Sequence, residues 1–257
     1  AADTALAVGV DFVLNGTCTE SGLSVADGVH LDCGTGVNAN ITGDAGTIDV
    51  GINLTGADRA IVSNCTVIKY GKAIRFATSN NNTVTRNNFS NSSTSSVRFD
   101  DDLGGNNSLT HNIFNDFAQG GTASEIDFNG GGNYNTIFNN TFKDTANGQG
   151  GIQFRSGAEY NNITNNTFNM TGGTSRTIIS FPTSGTANNT IWGNTFDQYG
   201  FEDISKNNTQ IINNSYCFGI GNTYVNGAES MRVFGDCGPF PKVSSIQVSS
   251  TSNGLYV

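Results

Sequence analysis

An aliphatic residue followed five positions later by an aromatic one recurs along the chain: Val84 and Phe89, Leu109 and Phe114, Ile137 and Phe142, Ile163 and Phe168, Ile191 and Phe196, Ile211 and Tyr216. Val62 and Val67 form an aliphatic version of the same pair. Three positions after each aliphatic stands Cys65 and then Asn87, Asn112, Asn140, Asn166, Asn194 and Asn214. Successive members lie 20 to 28 residues apart. A fixed internal pattern at that period marks a solenoid, in which each repeat buries its apolar face on its neighbours. Upstream runs a second apolar pair: Ile52/Leu54, Ile74/Phe76, Val97/Phe99, Ile126/Phe128, Ile152/Phe154 and Ile179/Phe181. Its period of two predicts strands with one buried face.

Between the two pairs lies a turn rich in Gly, Asn and Ser, such as Asn129 to Asn133, and after the aromatic a longer variable loop. Each repeat therefore reads as strand, turn, strand, tight Asn corner, short strand and loop. Parallel rungs stack about 4.8 Å apart, so roughly eight of them give a rod about 40 Å long. A Phe column should fill its interior. The Asn column should turn inward at the corner and bond to the rungs above and below. Residues 1–28 read as a capping lead-in, 29–216 as the solenoid, and 217–257 as a closing end with a strand-like tail.

This pattern resembles the right-handed parallel β-helix of the pectate-lyase-like superfamily, with its internal Asn ladder. The segment from Gly28 to Cys33, followed by Ile41-Thr42-Gly43, is similar to the first coil of the accessory-protein branch associated with nitrous-oxide reductase. The resemblance spans about residues 12–222. It implies an all-β fold strongly and a function weakly, because lyases, hydrolases, epimerases, adhesins and surface-layer proteins share that architecture.

Composition narrows the classes. The chain is only 13% charged, with a formal net charge of −9 and 12 Lys and Arg against 21 Asp and Glu. Nucleic acid as a partner is excluded on that balance, since phosphate binding needs clustered cations. No apolar run is long enough to span a membrane. Fifteen Asn-X-Ser/Thr sequons occur, including those at Asn15, Asn40, Asn53, Asn81, Asn91, Asn106, Asn169, Asn188 and Asn207. They make an extracellular or cell-surface glycoprotein the expected setting, although a repeat rich in Asn and Thr generates sequons unaided. The five cysteines lack zinc-type spacing and gather toward the two ends. Disulfides Cys18–Cys33 and Cys217–Cys237 are expected, with Cys65 unpaired and buried; the odd count leaves other pairings open.

Catalytic chemistry is sparse. Enzymes of the resembled fold work on the outer face of the first strand, which here carries Arg75, Arg98, Asp100, Glu125, Asp127, Gln153 and Arg155. A calcium-dependent lyase needs a carboxylate cluster beside a basic residue. Arg98, Asp100 and Asp127 are the catalytic candidates, and Asp100 with Asp102 the calcium candidate. A mixed-charge, solvated strand face is the simpler expectation. His30 and His111 are too few and too far apart for a copper or zinc cluster, and no Ser-His-Asp grouping is evident. Phe138 and Trp192 should face outward. The expected function is a non-catalytic extracellular structural subunit of filament, sheath or surface-layer type that self-associates into a homo-polymer. A calcium-dependent, lyase-like enzyme or a carbohydrate-binding module is the alternative, with glycans as its partners.

Overall fold

The computed structural model describes residues 9–19, 22–34, 39–44, 49–100, 104–115, 124–144, 150–155, 157–170, 178–181 and 186–196. Beyond these it gives the strand backbones of Glu202–Asp203, Gln210–Tyr216 and Met231–Val233. All the described secondary structure is β, and every pairing between named strands is parallel. The chain winds as a parallel β-helix with three faces. The first is an eight-stranded sheet containing Val50–Thr55, Lys72–Ala77, Ser95–Phe99, Ile126–Asn129 and Ile152–Arg155. The second includes Ile61–Ser63, Thr83–Thr85, Ser108–Thr110, Thr136–Phe138, Asn162–Thr164 and Thr190–Trp192. The third includes Thr66–Ile68, Asn88–Ser90, Ile113–Asn115, Thr141–Asp144 and Thr167–Met170.

Register follows the sequence pattern position by position. Val84 pairs with Val62 and Leu109, Ile137 with Ile163, and Ile163 with Ile191. On the third face Phe114 pairs with Phe89 and Phe142. Like residues therefore stack on like. Phe76, Phe99, Phe128 and Phe154 form one buried column with ring centroids 4.5 to 4.6 Å apart. Phe89, Phe114, Phe142, Phe168 and Phe196 form a second, with neighbours 4.5 to 5.2 Å apart. Rung spacing sets that distance, and it matches the preferred separation of stacked rings.

Two corners bend the chain on every turn, and both work in the same way. A residue in left-handed conformation turns the backbone, and the next side chain points inward. At the corner between the first and second faces the left-handed residues are Arg59, Asn81, Asn106, Tyr134, Tyr160 and Asn188, with φ of 56° to 59°. At the corner between the second and third faces they are Asn64, Arg86, His111, Asn139, Asn165 and Gly193, with φ of 53° to 66°. The Asn column expected from the sequence follows the latter. The Asn87 backbone N–H and side-chain amide both donate to Asn112 Oδ1, at 3.0 and 3.1 Å, while the same amide donates to Val62 O at 3.0 Å. Asn112, Asn140, Asn166 and Asn194 continue the chain. Asn214 lies in a strand whose backbone alone is described.

A second ladder runs up the other corner: Asn82, Asn107, Asn135, Asn161 and Asn189, each buried and each accepting the backbone N–H of its counterpart one turn earlier, with Ala60 in that place at the first step. The turns from Asn82 to Asn194 carry an Asn at both corners. The regular coil thus makes about five turns, fewer than the eight expected; strands before and after it continue the sheets.

The disulfide also differs from expectation. Cys33 bonds Cys65, not Cys18, so Cys65 is cross-linked rather than unpaired. Leu31 pairs with Val62 and Asp32 with Ser63, which brings the two corners of adjacent coils together and sets the cysteines within bonding reach. Cys18 ends the strand Thr17–Cys18 on the third face, paired with Ile41, away from that corner. Cys217 and Cys237 lie outside the described residues, as does the tail from 234 onward.

Candidate functional site

Strand alternation on the first face puts Arg75, Arg98, Asp127 and Gln153 in one outward column, since Arg98 pairs with Arg75 and Asp127, and Asp127 with Gln153. The structure gathers all three catalytic candidates there. Arg98 lies between the two carboxylates: its Nε donates to Asp100 Oδ1 at 2.5 Å and its Nη1 sits 3.6 Å from Asp127 Oδ2. Arg75 Nε donates to Asp100 Oδ2 at 2.7 Å, and Lys72 Nζ stands 3.6 Å from the same oxygen. Arg155 Nε approaches Asp127 Oδ1 at 3.2 Å and donates to Gln153 Oε1 at 2.8 Å. Lys72 does not figure in the sequence reading because it lies two residues before Ile74, at the start of its strand.

This face is not the solvated one that charge alternation suggests. The Asp127 side chain is fully buried and that of Asp100 is 12% exposed. Burial dominates at Asp127 and pushes its carboxyl above the usual value, against the pull of Arg155 and Arg98. At Asp100 burial also acts to raise the carboxyl. The Arg75 and Arg98 hydrogen bonds, with the charges of Arg98 and Lys72, outweigh it and hold the group below its ordinary range. Glu125 is buried beside them and takes a short hydrogen bond from the Ser96 hydroxyl.

Four cations thus surround two carboxylates. Calcium takes six to eight oxygen ligands, and both oxygens of Asp100 and of Asp127 already face guanidinium or ammonium groups. The donor set does not fit calcium. Asp102 lies outside the described residues, and no group of three or more His, Cys, Asp and Glu that could hold a metal occurs among those described.

A Ser-His-Asp cluster, not evident in the sequence, does form near the start of the second face. Ser63 Oγ lies 2.9 Å from His30 Nε2, and Asp11 Oδ1 is 4.0 Å from His30 Nδ1. The Ser63 hydroxyl, however, donates to Asp32 Oδ1 at 3.1 Å, so its proton points away from the imidazole. The 4.0 Å gap exceeds hydrogen-bond range. Asp32 also accepts the Asn64 amide at 2.8 Å and the Gly34 N–H at 3.1 Å, and the Asn64 bond above all holds its carboxyl below the usual value. The cluster ties two coils together rather than activating a nucleophile.

Sequon asparagines Asn81, Asn106, Asn139, Asn165 and Asn188 are the left-handed corner residues themselves, followed by a ladder Asn and a strand Thr or Ser. Asn favours that conformation, so the fold generates these sequons. Asn15, Asn91 and Asn169 are exposed elsewhere, Asn40 and Asn53 are half-buried, and Asn207 lies outside the described residues. Trp192 is exposed on the second face as alternation predicts, whereas Phe138 is half-buried and packs edge-on with His111 at 6.0 Å. Tyr134 and Tyr160, not singled out in the sequence, stack in the open at a corner. The signal was a repeated Tyr-Asn pair, 134–135 and 160–161.

Among solved structures, an alginate lyase from Paenibacillus sp. str. FPU-7 superposes with a TM-score of 0.64 at 14% identity, over 86% of this chain and 93% of that one. The Streptococcus pneumoniae surface protein and adhesin PfbA does so with a TM-score of 0.61 at 13% identity, over 89% of this chain and 67% of that one. These likenesses concern the fold. No curated protein matches the sequence, and these likenesses do not show the nitrous-oxide reductase accessory branch. The family model for the right handed beta helix region matches residues 50–254, and with its parallel coils, twin Asn corners and stacked Phe columns the chain belongs to that family.

Proposed function

We propose that this protein is a non-catalytic, extracellular or surface-exposed β-helical rod that holds an acidic glycan against its first face. The observation that carries the reading is the cluster of four cations, Lys72, Arg75, Arg98 and Arg155, beside three carboxylates, Asp100, Asp127 and the buried Glu125. Among the described residues it sets four cations against three carboxylates, on a chain whose net charge is −9. Such a cluster draws a carboxylate- or sulfate-bearing sugar chain. Planar guanidiniums suit those anions well. Arg98 is held between two carboxylates and has no route to act as a base, which sets the reading apart from a lyase. That a structural neighbour is an alginate lyase and another a surface adhesin supports a glycan-facing, extracellular role.

Calorimetric titration with oligouronates tests it. Wild-type protein should bind, more weakly as salt rises, and should release no unsaturated product. Arg75→Gln with Arg98→Gln should weaken binding at least tenfold. Absence of wild-type binding removes the glycan role, and product formation removes the non-catalytic one.

A second reading, end-to-end assembly into a homo-polymer, is favoured by one observation. Among the described residues, the strand Asp11–Val13 pairs on one side only, with His30–Asp32. An open parallel edge is a template for β-augmentation. Electron microscopy of concentrated protein would show filaments if this joint forms.

A further inference from the structure

The rings of Tyr134 and Tyr160 repeat, on the outside of the coil, the geometry that the Phe columns have inside it. Their centroids are 4.9 Å apart and their planes 3° from parallel. Inside, such stacking follows from burial. Here the residues are 55% and 46% exposed, so about half of each stays in water despite the stacking. Their backbone is also unfavourable for the residue type. Both have positive φ, 58° and 57°, where a bulky side chain is an outlier and Asn is at ease. The turns on either side use Asn106 and Asn188 in the same column. Two successive turns therefore give up a better-suited residue for an exposed aromatic.

Among the described residues, the stack is flanked in its column by asparagines. An asparagine is shorter than a tyrosine by most of a ring, so the outer part of each terminal ring face projects past its neighbour, Asn106 below Tyr134 and Asn188 above Tyr160. Beside the rings, Thr136 and Asn162 face outward two positions later in their strands and pair in register. An apolar face bordered by amides and a hydroxyl matches a pyranose, whose C–H face stacks on an aromatic ring while its hydroxyls hydrogen-bond around the edge. Position links this surface to the charge cluster. Arg155 and Tyr160 lie five residues apart, hence within about 18 Å of each other at ~3.6 Å per residue. Asn129, which pairs with Arg155, leads likewise into Tyr134 on the turn before.

We infer that Tyr134 and Tyr160 form a sugar-stacking subsite for the acidic glycan whose charged groups the first-face cluster holds. The inference rests on that glycan-binding reading and names where the sugar ring, as distinct from its charge, is recognised.

The test uses the substitution the fold itself employs at this column. Tyr134→Asn with Tyr160→Asn restores the residue type of the neighbouring turns, so the variant should keep or raise its melting temperature. Its affinity for oligouronates should fall at least tenfold, while Tyr134→Phe with Tyr160→Phe should bind as wild type does. If the asparagine variant binds undiminished while Arg75→Gln with Arg98→Gln does not, the subsite is overturned and the charge-based reading stands. If the wild-type protein binds neither oligouronates nor neutral glucan oligomers, both fail. A variant that keeps its affinity but loses self-association in sedimentation would assign the rings to a contact between copies and overturn the subsite.

Discussion

Asn87 Oδ1 accepts the backbone N–H of Cys65 at 2.9 Å, the same bond that Asn112 Oδ1 makes to Asn87 N–H one turn later at 3.0 Å. The cystine therefore stands at the head of an amide ladder, where one more Asn would otherwise be. It locks the coil in which the ladder has no further partner. Replacing Cys33 with Ala should lower stability by about 2–4 kcal/mol, read from urea unfolding. Peptide mapping without reductant should find the 33–65 linkage undisturbed in Cys18→Ser.

The second ladder should matter as much as the one the sequence announces. Asn161 Oδ1 accepts both the backbone N–H and the amide of Asn135, at 2.9 and 3.1 Å. Asn166 Oδ1 does the same for Asn140, at 2.9 and 3.0 Å. Ala at either position leaves buried donors without acceptors, at about 1–3 kcal/mol per orphaned group. The two variants should unfold at similar urea concentrations, both well below wild type. A harmless Asn161→Ala would mean that the first corner is held by its backbone bonds alone.

Phe128 has a stacked neighbour on both sides, Phe99 at 4.5 Å and Phe154 at 4.6 Å. Phe128→Ala should cost about 3–5 kcal/mol. Phe89 begins the other column, with Phe114 at 5.2 Å on one side and the aliphatic Val67 in register on the other. Phe89→Ala should be felt less. Thermal unfolding of the two variants side by side decides this.

Acid should act on the two carboxylates of the charged face in opposite senses. Asp100 sits below its ordinary value of 3.8 in the folded protein, so its contribution is complete above that pH and is lost as pH falls through the folded value. Asp127 sits above 3.8, so its contribution is complete below that pH and is lost as pH rises through its folded value. Asp100→Asn should therefore destabilise at neutral pH, by about 3 kcal/mol, and much less in acid. Asp127→Asn should be nearly neutral or stabilising at pH 7, where it removes a buried charge. Urea midpoints measured across the acid range would separate the two profiles.

The coil was legible because its strands obey a period of two and its corners fall at fixed offsets from the aliphatic series. Val84, Phe89 and Asn87 announce themselves by spacing alone. The second ladder was equally regular, with Asn82, Asn107, Asn135, Asn161 and Asn189 each two positions before the aliphatic. Its members blend into runs that read as turns or sequons. The cystine was not legible, since the coil from Leu31 to Val62 is longer than the later ones and only register shows which corners meet. Nor was the burial of Asp127, an outward residue by alternation that its cross-strand neighbours enclose. The stacked tyrosines required knowing that both occupy the same left-handed corner.

The twin corners make each turn interchangeable with the next. A segment that begins at one left-handed residue and ends before its counterpart a turn later finds the same acceptors above and the same donors below wherever it is inserted. Duplicating or deleting such a segment would lengthen or shorten the rod by one step of about 4.8 Å, leaving its two ends and the order of its columns intact. Reach is thus a property that gene duplication can adjust in fixed increments, separately from whatever the outward side chains hold.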